Sequence, residues 1–163
     1  MLRLRTRYGT TVLAALLFLG AASAAQAAVR YNHSMTLMVD GNILIVGGKG
    51  AANTSLNTVE IYISTGAKSE TRANLNAFRS SHTATVLSDG RVLVTGGVDA
   101  AGAILDTGEV FDPRLNTWTT IPNTNFGGPR VNHTATLLTN GKVLVVGGQT
   151  NPAGNVLASC SLF

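Results

Sequence analysis

One 19-residue pattern occurs three times in this chain, and this repetition constrains the possible folds more than any other sequence feature. Each copy begins with Arg, has His three residues later, contains Asp-Gly or Asn-Gly near its centre and ends with Gly-Gly. The copies are offset by 49 and 51 residues and align without internal gaps; they span residues 30–48, 79–97 and 130–148. A period near 50 residues is typical of supersecondary units that stack and share a core.

The centre of each copy predicts a β-hairpin. A dipeptide that favours positive φ lies between two apolar, β-branched runs: Asp40-Gly41, Asp89-Gly90 and Asn140-Gly141. Two-residue turns are expected at these dipeptides. The run after each turn is almost continuously apolar, in residues 43–46, 92–95 and 143–146. A sheet with one face in water would alternate polar and apolar residues, so we expect neighbouring sheets to cover both faces of these strands.

The segment after each hairpin also repeats, so a complete unit is predicted to have four strands. Residues 56–62 align with residues 105–111, and both contain a Glu followed by an apolar and an aromatic residue. The second unit continues with Asp-Pro and Trp118, whereas the first lacks this Asp-Pro and has Ser69 at the Trp position. The third unit stops at residues 161–163, where its Glu-apolar-aromatic segment is expected.

These repeats resemble the kelch family, and the closest in style are the bacterial exported and galactose-oxidase-like kelch proteins. The resemblance rests on the Arg/His-led strand, the apolar run ending in Gly-Gly, the Glu-apolar-aromatic segment and the Trp. It covers residues 29–163 and implies an all-β fold of kelch-type β-propeller blades, each with four strands. The expected blades are residues 29–78, 79–129 and 130–163, of which the last is incomplete.

At this period the chain holds about two and three-quarter blades, whereas propellers typically close with about four to eight. We therefore expect an incomplete ring whose two end faces expose apolar strands. One explanation is that the chain is a fragment of a longer kelch protein. The other is self-association, in which two or more chains close a ring through the open blade faces. The first is favoured, because a chain built for ring closure is expected to end at a blade boundary.

Residues 1–27 have the three parts of a secretory signal peptide. A positive region with Arg3, Arg5 and Arg7 precedes an apolar segment, residues 12–22, and Ala25-Gln26-Ala27 is a cleavage motif. This apolar segment is shorter than the ~20 residues that span a bilayer. Cleavage after Ala27 is therefore predicted, and the mature chain is expected to be secreted or periplasmic, with no membrane span.

Removing the signal peptide also changes the charge of the chain. The three arginines that it contains account for the difference between a formal net charge of +4 for the whole chain and +1 for residues 28–163. The remaining charges are scattered, with no basic run. Nucleic-acid binding is therefore not expected.

Two repeated sets of polar residues are weak candidates for a binding site. They are the arginines Arg30, Arg79 and Arg130 and the histidines His33, His82 and His133. Arginines could bind an anionic sugar or a peptide carboxylate, and three histidines could ligate a metal. The favoured interpretation is structural, because a repeat copies a packing role into every unit. The histidines are expected to hydrogen-bond to a neighbouring blade, and the arginines to pair between blades with Glu60 and Glu109.

No catalytic constellation, metal site or cofactor is predicted from the sequence. The favoured function is an exported interaction module for a protein or carbohydrate ligand, in a fragment of a longer propeller. The alternative, implied by the resemblance, is a remnant of a kelch-fold enzyme, either a galactose-oxidase-like copper oxidase or a sialic-acid epimerase. Cys160 is the single cysteine and is expected to be a free, partly buried thiol, because the Tyr-His ligand segments of the copper enzymes have no match here.

Overall fold

The computed structural model describes residues 29–66, 68–122, 126–151 and 154–163. The predicted signal peptide, residues 1–27, lies outside the described residues. These ranges form eleven β-strands and no helix, which confirms the all-β prediction for this part of the chain. Within them, no helix is long and apolar enough to cross a membrane.

Three antiparallel sheets follow one another along the chain, and within each sheet the strands lie side by side in chain order. The first sheet contains β1 (Ser34–Leu37), β2 (Ile43–Val46), β3 (Val59–Ile63) and β4 (Lys68–Arg72). The second contains β5 (Thr83–Val86), β6 (Val92–Thr95), β7 (Gly108–Asp112) and β8 (Thr117–Ile121). The third contains β9 (Thr134–Leu137), β10 (Val143–Val146) and β11 (Cys160–Leu162).

The second strand of each sheet coincides with the apolar run predicted from the sequence, residues 43–46, 92–95 and 143–146. In the middle sheet this strand is buried on both faces: Val92, Leu93 and Val94 are at most 1% exposed. Alternate residues of a strand point to opposite faces of its sheet. The prediction that neighbouring sheets cover both faces is therefore confirmed for β6.

Two apolar cores join the sheets. The first core lies between the first two sheets and contains Val46, Val92 and Phe111. The second lies between the middle and third sheets and contains Leu93 and Val143. The first strands, β1, β5 and β9, are neighbours in space. The sheets are thus stacked face to face as kelch-type propeller blades in an unclosed arc, with their first strands innermost.

The hairpin loops contain the predicted glycines but have three residues rather than two. The Gly41 N–H donates to the Met38 carbonyl at 3.0 Å, and the Met38 N–H donates to the Asn42 carbonyl at 2.8 Å. Gly41 has a φ of 82°, whereas Asp40 is not among the described residues with positive φ. The other two hairpins have the same pattern.

The acidic or amide residue before each glycine explains the longer loop. Asp40 Oδ1 accepts a hydrogen bond from the Asn42 N–H at 3.0 Å, and Asp89 and Asn140 make the equivalent bond at 3.0 and 3.1 Å. A two-residue type I′ turn would need positive φ at both central positions. A type I turn followed by a left-handed Gly lets the Asp or Asn side chain bond the backbone two residues on.

Candidate functional site

Each repeated arginine lies four residues before an inner strand begins, and Arg79 shows the role of these residues most fully. Its side chain is completely buried and donates from Nη1 to the carbonyls of Gly96, at 2.9 Å, and Thr107, at 3.2 Å. Its Nη2 donates to Glu109 Oε1 at 2.9 Å. The Arg79 guanidinium therefore ties the ends of the second and third strands of the second blade together.

Glu109, the partner of Arg79, is also completely buried. Its carboxylate accepts hydrogen bonds from the backbone N–H groups of Asn76, at 2.7 Å, and Ala77, at 3.0 Å. These residues belong to the connection from the first blade. A buried carboxylate is tolerated when it is paired and its remaining lone pairs are hydrogen-bonded. Glu109 therefore holds in place both the Arg79 side chain and the connection from the first blade.

The first repeat has the same ion pair, between Arg30 and Glu60. Arg30 and Glu60 lie in the first blade, just as Arg79 and Glu109 both lie in the second. The expectation that these arginines pair between blades is therefore wrong, although the acidic partners are the predicted ones. The reason is geometric, because each arginine crosses its own sheet and reaches the carboxylate on the third strand.

The third repeat departs from this pattern. Ser161 pairs with Val145 in the position that Glu109 occupies opposite Val94. Arg130 is nevertheless completely buried and donates to the carbonyls of Gly147, at 3.1 Å, and Gly127, at 3.3 Å. Among the described residues no carboxylate forms an ion pair with Arg130. Within the described residues its guanidinium therefore donates to backbone carbonyls and has no carboxylate partner.

The repeated histidines reach back to the preceding blade. His82 Nε2 lies 2.9 Å from Ser34 Oγ of the first blade. His133 Nε2 lies 2.9 Å from Thr83 Oγ1 and 2.9 Å from Thr95 Oγ1, both in the second blade. His33 belongs to the first blade and is only partly buried. The ring of each interior histidine therefore links two consecutive blades.

Burial determines the charge state of the two interior histidines. It lowers the pKa of His82 from 6.5 to about 3, with a further contribution from the nearby charge of Arg79. Burial also lowers the pKa of His133 to about 4, and Arg130 adds to this shift. Both rings are therefore neutral near pH 7, so the contacts between blades are made by uncharged imidazoles.

The galactose-oxidase-like alternative implies a copper centre, and the histidines as placed do not fit one. The Nε2 atoms of His82 and His133 are already within hydrogen-bond distance of hydroxyl groups. The described residues contain no group of three or more His, Cys, Asp or Glu that could hold a metal ion. A mononuclear metal centre needs its ligands to converge on one point. The expectation that Cys160 is partly buried is also wrong, because its side chain is exposed.

The neutral histidines predict that acid destabilises the fold. Below pH 6.5 the unfolded chain binds protons at these rings, whereas the folded chain stays uncharged until about pH 4 at His133 and about 3 at His82. Stability is thus fully present above pH 6.5 and is lost as the pH falls. We expect the free energy of unfolding to drop by about 3 kcal/mol between pH 6.5 and pH 5.

Urea titrations at a series of pH values measure this loss. His82→Gln removes one of the two titrating groups. It is expected to reduce the slope of the free energy of unfolding against pH by about half. A slope that is the same in the wild-type protein and in the variant would contradict the assignment.

In the first two Gly-Gly pairs, the first glycine, Gly47 or Gly96, leaves room for the backbone of the following blade. Gly96 has a φ of 61°, and a Cβ placed there would lie 2.3 Å from the Arg130 carbonyl oxygen and 2.8 Å from His133 Cε1. The second glycine, Gly97, donates its N–H to the same Arg130 carbonyl at 2.9 Å. The same contacts join the first blade to the second. The first two Gly-Gly pairs are thus the docking points between consecutive blades.

A cleft of about 300 Å³ opens at the opposite end of the sheets, beside the hairpin loops. It lies between the first hairpin and two loops of the second blade, and is lined by Val39, Asp89, Gly90, Arg91, Asp112, Pro113 and Arg114. Asp89 pairs with Arg91 at 2.7 Å, and both side chains are about half exposed, at 49% each. The cleft therefore combines two carboxylates, two guanidinium groups and two apolar side chains.

Sequence reasoning did not identify this cleft. Two sequence features mark it: the Asp-Gly-Arg of the second hairpin and the Asp-Pro-Arg that begins with the last residue of β7, which occur only in the second repeat. The sequence indicates a turn residue at Asp89, and its Oδ1 does accept a hydrogen bond from the Arg91 N–H in the turn. The two loops lie more than 20 residues apart in the chain, and only the antiparallel sheet brings them to one end.

Comparison with known proteins identifies one of the repeats directly. Residues 79–125 match the family model described as the Kelch motif. The match begins at Arg79 and includes the four strands of the second blade, β5–β8. A search of the curated proteins finds no match to the chain.

Proposed function

We propose that this chain, in which residues 79–125 match the Kelch motif, is an exported interaction module that binds a protein at the hairpin end of its blades. Kelch repeats commonly mediate protein binding. The observation that carries the proposal is the cleft beside the hairpin loops. Export is supported by the signal-peptide pattern of residues 1–27.

The accessibility of the polar groups favours the cleft over the arginine and histidine sets. Arg79 is completely buried and His82 is 8% exposed, and both already bond to other parts of the protein. In the cleft, Asp89 and Arg91 are each 49% exposed. A ligand can therefore reach the charged groups of the cleft without disrupting the packing of the blades.

The chemistry of the cleft suits a polypeptide loop of mixed charge. Arg91 and Arg114 present guanidinium groups, which bind carboxylates with two parallel hydrogen bonds. Asp89 and Asp112 present acceptors for lysine or arginine side chains. Val39 adds an apolar wall, and a volume of about 300 Å³ has room for a few side chains.

The test of this proposal compares two charge-reversed variants of the exported protein. Arg91→Glu changes the cleft, whereas Lys142→Glu changes the equivalent position of the third hairpin, which does not line this cleft. Proteins of the extracytoplasmic fraction captured by the wild-type chain are identified and their affinities measured. We expect Arg91→Glu to weaken binding at least about tenfold and Lys142→Glu to leave it unchanged.

Two results would overturn the proposal. One is equal binding by both variants, which would place the ligand away from the cleft. The other is binding in a glycan array that depends on Arg91 while no protein is captured, which would replace the protein ligand by a carbohydrate. The enzyme alternatives are not proposed, because no described contact favours them.

Export has its own test. The intact mass of the chain purified from the extracytoplasmic fraction is expected to correspond to residues 28–163, with cleavage after Ala27. Recovery of the full-length chain from the cytoplasm alone would show that residues 1–27 do not act as a signal peptide.

A further inference from the structure

The outer face of the third blade exposes residues that are buried in the other two blades. Val146 is 41% exposed and Leu162 is 53% exposed. At the equivalent positions of the first blade, Val46 is 0% and Ile61 is 5% exposed, because the second blade covers them. No described residue covers the third blade in this way.

The outer face of the first blade is exposed in the same manner. Met35 is 60% exposed and Leu37 is 67% exposed. Their equivalents in the second blade, Ala84 and Val86, pack into the core between the first and second sheets. Repeat proteins that are soluble as monomers require polar residues on the outer faces of their terminal repeats. Both terminal faces of this chain instead carry large apolar side chains.

The groups that make the polar contacts between blades also occur at both ends of the arc, where they have no neighbouring blade to contact among the described residues. The third blade offers Gly147, where a Cβ would meet only the Leu157 carbonyl oxygen at 3.6 Å, and Thr134, the counterpart of Thr83. The first blade offers the carbonyl of Arg30 and the ring of His33, the counterparts of the groups that dock onto Gly96 and Thr83. Each end of the arc therefore carries one half of the same repeat-encoded interface.

We propose that a second copy of this chain binds head to tail, the outer face of the third blade of each copy docking onto the first blade of the other. The number of copies follows from the number of blades, because propellers typically close with about four to eight. Each copy contributes the three described sheets, so two copies bring six sheets together, a number within this range. A ring of two copies covers both exposed apolar faces that the described residues of each copy present.

This inference concerns the blade faces and does not depend on the cleft of the proposed function. Its test is the molar mass of the purified chain by sedimentation velocity across a range of concentrations. We expect twice the mass of the single chain. A well-folded monomer throughout the range would overturn the proposal.

Gly147→Ala tests the docking point itself. An added Cβ would occupy the space expected for the Arg30 carbonyl of the second copy, as it would for Arg130 at Gly96. We expect the dimer to weaken about a hundredfold. Gly154→Ala is the control, since Gly154 also has positive φ, of 109°, and a Cβ there meets no atom within 4 Å. Equal effects of the two substitutions on the dimer would overturn the proposal.

Two charged variants distinguish head-to-tail binding from binding between identical faces. Val146→Asp changes the third blade, and Leu37→Asp changes the first; both residues are exposed in the single chain, so each variant is expected to fold. Each variant alone is expected to be monomeric. A mixture of the two retains one unchanged interface and is expected to form a heterodimer. An effect of only one of these substitutions would indicate contact between identical faces and would overturn the proposal.

Discussion

Replacing Gly96 with alanine is expected to lower the free energy of unfolding by about 4 kcal/mol. The new Cβ would lie 2.3 Å from the Arg130 carbonyl oxygen, which is backbone and cannot rotate away. The left-handed φ of 61° adds a smaller conformational penalty of about 1 kcal/mol. Urea unfolding followed by fluorescence of Trp118 measures the change.

Gly147→Ala is the matched control for this prediction. Gly147 has nearly the same conformation, with a φ of 67°, but a Cβ there would lie 3.6 Å from the nearest atom. We expect this variant to lose only about 1 kcal/mol, the conformational part. The comparison is made at low protein concentration, where association does not contribute to stability. Equal losses for the two variants would show that the close approach at Gly96 is unimportant.

Replacing Glu109 with glutamine is expected to lower the free energy of unfolding by about 3 to 5 kcal/mol. The substitution leaves the Arg79 guanidinium completely buried without its carboxylate. It also leaves one fewer acceptor for the Asn76 and Ala77 N–H groups, which both bond this side chain. Calorimetry and urea unfolding are expected to agree on the loss.

Glu70→Gln is the matched control for the ion pair. Glu70 pairs with Lys68 at 2.7 Å and Arg72 at 3.2 Å, but it lies at the surface, with 37% of its side chain exposed. Exposed pairs contribute about 0 to 1 kcal/mol, so we expect little change. If Glu109→Gln costs no more than Glu70→Gln, the buried pair does not stabilise the second blade.

The strands of this protein could be predicted from the sequence because their signals are local. The apolar runs that form β2, β6 and β10 are bounded by Asp-Gly or Asn-Gly on one side and Gly-Gly on the other. Three copies of the same pattern also indicate the stacking of similar units. These features depend on neighbouring residues and on their repetition, and both are visible in a single chain.

The details of each loop and ion pair could not be predicted in this way. Asp40 is compatible with a two-residue turn, but its side chain bonds the Asn42 N–H and a three-residue loop results. Glu109 was identified as the partner of Arg79, yet whether the pair joins two blades or closes one depends on the path of the side chain over its sheet. Both outcomes depend on contacts that a side chain makes with the folded backbone, which the sequence alone does not specify.

The sequence by itself determined the all-β class, the strands, the repeated units and the residues that recur in each unit. Only the tertiary structure decided what those residues contact. It placed Gly96 against the Arg130 carbonyl, linked His82 to Ser34 and brought the two charged loops of the cleft together. The physical reason is that secondary structure follows from local periodicity and turn chemistry, whereas these contacts join residues far apart in the chain and exist only after the blades have packed.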